Sequence, residues 1–195
     1  MPHVDVDDCV LVVIDAQPGF YGPRRNDVDR AHHARALTRS AWVTSVAAAL
    51  QVPIVVTVED PETNGPTAEA IRNELPPGTP ILTKAVFGAN DNPAIDRAVR
   101  SSARQTVVLV GTETDVCVAH SALGWQADGL RAVVVHDAVY SAGEAHEHGL
   151  ARLRQEGIEL VSAKELYYEW LRKLASVREF DERHPRLAQP PGFSL

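Results

Sequence analysis

Residues 9–15 read CVLVVID: six apolar side chains in a row, then a carboxylate. A strand with one wet face would alternate apolar and polar residues. This one does not alternate, which marks a strand buried on both faces, as inside a parallel sheet covered by two layers.

Similar short runs follow: PIVVTV (Pro53–Val58), ILT (Ile81–Thr83), TVVLVG (Thr106–Gly111), AVVVH (Ala132–His136) and ELVS (Glu159–Ser162). Helical patterns lie between them. Val43, Val46, Ala47 and Leu50 share one face, and Leu166, Tyr167, Trp170, Leu171 and Leu174 continue a stripe begun at Ala163. Pro93 suits the first turn of a helix reaching Ser102, where its missing N–H costs nothing. Strand and helix in alternation give right-handed crossovers, so the chain is predicted to be a three-layer α/β/α sandwich around one parallel sheet. Ligands of such sheets bind beyond the carboxyl ends of the strands. The polar residues to weigh are therefore Asp15, Glu59 and Asp60, Lys84, and the segment from Gly111 to Cys117.

The 195 residues, 45% hydrophobic and 23% charged, fit one domain. Its expected extent is residues 1–174. The remainder, 175–195, is charged and then Pro-rich, read either as a loose terminus or as an arm packed on a neighbouring subunit. The net charge of -7 offers no basic patch for nucleic acid or an anionic membrane. No apolar run approaches the ~20 residues of a membrane span. Two cysteines without a C-x-x-C pair argue against a disulfide scaffold, dithiol redox and zinc. The acidic start MPHVDVDD has no signal-peptide character, and the expected location is the cytoplasm.

GTETDVC (Gly111–Cys117) follows a buried strand and precedes a helical pattern. Cys117 is either a small apolar core residue or a nucleophile whose thiolate a helix N-terminus favours. Asp15 is either a turn-former or a general base beside that thiol. Lys84, in ILTKAVFGAND, is either solvated or the buried partner of Asp15.

VVIDAQPGF, LTKAVFGA and GTETDVCV together resemble the three signature segments of the isochorismatase-like cysteine hydrolases, a family that includes nicotinamidases and N-carbamoylsarcosine amidase. The resemblance spans about Cys9 to Leu174. It implies a six-stranded parallel sheet of order 3-2-1-4-5-6 and a catalytic triad of Asp15, Lys84 and Cys117. Asp15 would take the thiol proton, Lys84 would hold the charges, and Cys117 would attack a carbonyl to form an acyl-enzyme. It further implies a cis peptide at Thr112–Glu113, with the N–H groups of Glu113 and Cys117 as the oxyanion hole. Phe20 and Phe87 fall where the family places pocket walls, although a plain core role fits each as well. Gln17 would hydrogen-bond near the nucleophile, and Asp137 is read as structural. The implied reaction is cleavage of a C–N bond in a small amide or ureido compound by a cytoplasmic homo-oligomer. A vinyl-ether hydrolase and a non-catalytic oligomeric member are the alternatives.

Nicotinamidases carry a metal-binding Asp-x-His after the second strand. Here that place reads VEDPETNGP, and no histidine lies between His33 and His120. No metal or other cofactor is therefore expected. His32, His33, His146 and His148 are read as surface histidines. A dinucleotide fold would need a Gly-rich turn after the first strand, and DAQPGFYGP is not one. The aromatic stretch YYEW (Tyr167–Trp170) is either a subunit contact or part of the chain's own core.

Overall fold

The computed structural model describes residues 3–193. Its strands are β1 (Cys9–Ile14), β2 (Ile54–Glu59), β3 (Ile81–Lys84), β4 (Thr106–Thr112), β5 (Arg131–Tyr140) and β6 (Glu159–Val161). They form one six-stranded sheet in the order β3-β2-β1-β4-β5-β6, parallel throughout. The helices are α1 (Arg30–Ala49), the short α2 (Pro61–Asn64) and α3 (Glu69–Arg72), α4 (Pro93–Arg100), α5 (Ala119–Ala127), α6 (Ala145–Gln155), α7 (Ala163–Leu171) and α8 (Leu174–Arg183).

Side chains alternate across a strand, so β1 feeds two cores. Leu11 and Val13 pack with Val43 and Val46 of α1 and Leu166 of α7. Val10, Val12 and Ile14 pack on the other face with Ile95 of α4, with Val118 just before α5 and with Trp125 of α5. All six residues of β1 are buried, which is why its sequence is continuous rather than alternating. β3 departs from that pattern. It lies at the sheet edge, and Ile81 is 45% exposed.

The stripe begun at Ala163 does not continue to Leu174. α7 stops at Arg172, which takes φ 56°, and Leu174 opens α8 with two-thirds of its surface exposed. Among the described residues, the segment after Leu174 packs back on this chain. α8 folds back through the buried Phe180, whose ring meets Tyr167, and Tyr167 Oη lies 2.5 Å from Asp181 Oδ1. Beyond it, the Pro191 carbonyl accepts from Arg39 Nε at 3.3 Å, and the Arg39 guanidinium covers the Phe193 ring. Tyr167 and Trp170 are buried in this chain's own core, while Tyr168 and Glu169 between them are half-buried.

The strand order reverses between β1 and β4, and the crevice of such a sheet opens at that point. Gly111 of β4 takes φ 115°, and a Cβ there would collide with the Ile14 carbonyl. Only glycine lets β4 press against the end of β1, which brings the turn after β4 beside Asp15.

Candidate active site

Three strands end in a charged residue or just before one: Asp15 follows β1, Glu59 closes β2 and Lys84 closes β3. The parallel register sets Glu59 opposite Lys84. A π-helical turn, Thr114–Val118, follows β4 and runs into α5, and it carries Cys117.

Asp15 is wholly buried in a left-handed backbone conformation, φ 40°. Thr57 holds it twice: its hydroxyl donates to Asp15 Oδ1 at 2.7 Å and accepts the Asp15 N–H at 3.2 Å. Thr112 Oγ1 donates to the Asp15 carbonyl at 2.7 Å. Lys84 Nζ lies 2.7 Å from Asp15 Oδ2, 2.9 Å from Glu59 Oε2, 2.9 Å from the Val86 carbonyl and 3.4 Å from Cys117 Sγ. Three ammonium protons thus face four acceptors. Cys117 Sγ also lies 3.4 Å from Glu59 Oε2, to which the thiol can donate.

Burial pulls the Lys84 ammonium down, but the surrounding Asp15, Cys117 and Glu59 outweigh it and raise its pKa. Lys84 is a fixed cation. Burial also raises Asp15, with Lys84 and the hydrogen bonds opposing. For Cys117 the expectation of a favoured thiolate is reversed. Burial comes first, then the Asp15 charge, and these with Glu59 outweigh Lys84, so its pKa is raised. Two carboxylates and one ammonium already leave the cluster negative, and a thiolate would add a second net negative charge. A raised pKa favours the thiol form of Cys117. Cys9 lies at the far end of β1, and burial pushes it up to about 12.

The Thr112–Glu113 peptide is cis. The Glu113 side chain pairs with Arg25 at 3.3 Å, and Arg25 also donates to the Phe20 carbonyl and pairs with Asp27. The Ser141 hydroxyl donates to Asp115 Oδ1 at 2.6 Å, which ties the Thr114–Val118 turn to the end of β5.

Phe87 is 56% exposed on the wall of an open groove of about 640 Å³ that reaches Lys84 and Glu59. Phe20 is half-buried against the Tyr21 and Tyr140 cluster. Gln17 does not line this groove. It is buried, and its amide grips the neighbouring backbone: Oε1 accepts the Glu59 N–H at 2.7 Å, and Nε2 donates to the carbonyls of Glu59 at 3.1 Å and Gly65 at 2.6 Å. Asp137 caps α7 through the Ala163 N–H at 2.8 Å and pairs with Arg39.

Two side chains were given no place in the site by the sequence reading. Glu59 was noted among the polar residues at strand ends and then as part of a loop without metal ligands, yet it shares with Asp15 and Lys84 a place at a strand's carboxyl end. His146 is buried rather than on the surface, bonded at 2.9 Å to Thr114 Oγ1 of the turn that carries Cys117. His32 and His33 are half-buried and meet Tyr140 ring to ring.

Oxygens of Asp15 and Glu59 and the sulfur of Cys117 lie within 4.8 Å of one another, close enough to surround a cation. Lys84 Nζ already fills that role, so a metal would have to displace a buried ammonium. Exhaustive dialysis against a strong chelator is expected to leave turnover unchanged. Activity that is lost and then restored by zinc, iron or manganese would contradict this.

A family model for the isochorismatase domain matches residues 9–165. The chain belongs to the isochorismatase family. It is thereby a member of a family of hydrolases. Isochorismatase domain-containing protein 2A of Mus musculus is 30% identical over 162 residues, covering 82% of this chain and 76% of the mouse protein. The solved structure of YcaC from Pseudomonas aeruginosa, with hexane-2,5-diol and covalent acrylamide, superposes with a TM-score of 0.80 at 21% identity, covering 95% and 94% of the two chains. YcaC from Escherichia coli, an octameric hydrolase of unknown specificity, gives 0.76 at 22% identity, with 95% and 92% covered. No described helix is long and apolar enough to cross a membrane.

Proposed function

We propose that this isochorismatase-family protein hydrolyses a C–N bond of a small amide or ureido compound through an acyl-enzyme on Cys117. One observation carries the reading: a thiol that is 4% exposed lies 3.4 Å from a buried ammonium held by Asp15 at 2.7 Å. Asp15 takes the thiol proton as the sulfur attacks, then passes it to the departing nitrogen. A raised pKa suits that task, because a base is most effective when its pKa lies near the working pH. Lys84 stays charged and offsets the thiolate as it forms. The N–H groups of Glu113 and Cys117 receive the developing oxyanion, and each such donor is worth ~3–4 kcal/mol in the transition state. Phe20 and Phe87 supply apolar walls.

The test is a panel of small amides and ureido compounds, read by amine or ammonia release and by mass mapping of the Cys117 peptide. Release with a transient acyl adduct on that peptide is expected. Turnover without any dependence on Cys117 would refute the reading.

The working form is a homo-oligomer, by analogy with the octameric YcaC. Ile81, Val86 and Phe87, each more than a third exposed beside the groove, are apolar side chains available to such a contact. Light scattering at micromolar concentration is expected to give a multiple of the 21.2 kDa chain mass, and a monomer mass would refute it. Two unpaired thiols suit a reducing compartment such as the cytoplasm.

A further inference from the structure

Hydrolysis through a thioester needs a base twice, once for the thiol and once for the water that releases the acyl group. Asp15 is enclosed, with a side chain 0% exposed. Glu59 differs. Its side chain is 22% exposed and lines the open groove, while Oε2 reaches Cys117 Sγ at 3.4 Å and Lys84 Nζ at 2.9 Å. Gln17 fixes its backbone on both sides of the residue, so the carboxylate is aimed before substrate arrives. Of these two carboxylates, Glu59 is the one that touches both the sulfur and the water side.

We propose that Glu59 is the base of the second half-reaction, taking a proton from the water that hydrolyses the acyl-Cys117 thioester. This rests on the acyl-enzyme reading above. The water oxygen bonds to the acyl carbon as its proton passes to Glu59 Oε2. The tetrahedral intermediate then collapses, the C–S bond breaks, and its electron pair returns to Sγ. The acid product leaves, and the Glu59 proton crosses to Sγ. That last transfer restores the thiol-to-carboxylate hydrogen bond present in the structure. Asp15 serves acylation and Glu59 serves deacylation, because only Glu59 meets water from the groove.

The probe is p-nitrophenyl acetate, whose leaving group needs no proton and so isolates deacylation. In Glu59→Gln the burst of p-nitrophenolate, one equivalent per site, is expected to persist or quicken, since the Glu59 charge opposes the thiolate. The steady-state rate is expected to fall ~10²-fold, a usual share for a general base, with an acetyl adduct accumulating on the Cys117 peptide. Glu59→Asp should recover part of that rate. Asp15→Asn should instead slow the burst. Glu59→Gln turning over at the wild-type rate, or losing burst and steady state together, would overturn the role of Glu59. A burst that survives Cys117→Ala would instead overturn the nucleophile assignment and the reading beneath it.

Discussion

Lys84→Met is expected to lose turnover and to destabilise the fold by ~3–5 kcal/mol, the usual cost of removing one partner of a buried ion pair. Methionine fills most of the lysine's volume, so packing is not the main loss. What disappears is the cation between Asp15 and Glu59, whose oxygens lie within 4.8 Å of each other. The variant must then hold two neighbouring carboxylates, one of them fully enclosed, or protonate one of them. Glu59 is partly open to the groove, and solvent there will soften the penalty. At ~2–4 °C per kcal/mol for a domain of this size, the melting temperature should fall on the order of 10 °C. The sign of the pH dependence follows from Asp15. Without Lys84 its folded pKa stands still further above the unfolded value. The charged form then burdens the native state above that pKa, and the burden lifts as pH falls through it. Thermal unfolding of the variant at pH 5 and pH 8 is the measurement. The deficit relative to the parent should be larger at pH 8, and an unchanged melting temperature there would contradict the pairing.

Cys117→Ala should abolish turnover, by roughly 10⁴-fold or more, since a nucleophile and its partners act as a unit. The fold should lose little, on the order of 1 kcal/mol, because only one buried sulfur is removed. Cys9→Ala removes a thiol of the same kind from the opposite end of β1, where Sγ approaches the Val6 carbonyl at 3.9 Å. It should match Cys117→Ala in stability while keeping full activity. The pair of variants therefore separates chemistry from packing: kcat/KM must split them and the melting temperature must not. Activity retained in Cys117→Ala would end the nucleophile assignment.

Most of the architecture was legible from short patterns. A strand buried on both faces cannot alternate, so CVLVVI, TVVLVG and AVVVH read as inner strands, and the observed sheet keeps the expected order. The edge strand β3 was legible only from its place in the series, since half its residues face solvent. The break at Arg172 was hidden because apolar residues keep helical spacing across it. Nothing local signals that an arginine takes a left-handed conformation and that Leu174 begins a new helix.

The site divides the same way. Asp15, Lys84 and Cys117 could be named because each follows a strand in a fold whose ligands bind at strand ends, and the signature segments carry their order. Gln17 shared that position yet turned inward, because two carbonyls and one N–H around Glu59 needed partners more than the groove needed a wall. His146 looked like a surface residue on a polar helix, and only the packing of α6 on the Thr114–Val118 turn buried it. Sequence by itself determined which residues are buried in strands and which charged groups stand at their ends, because burial on two faces and chain direction are local constraints. Tertiary structure alone decided that the Cys117 pKa is raised and that the Glu59 carboxylate meets its sulfur. Those depend on side chains 58, 33 and 25 residues apart, converging on one ammonium in a space that water scarcely enters.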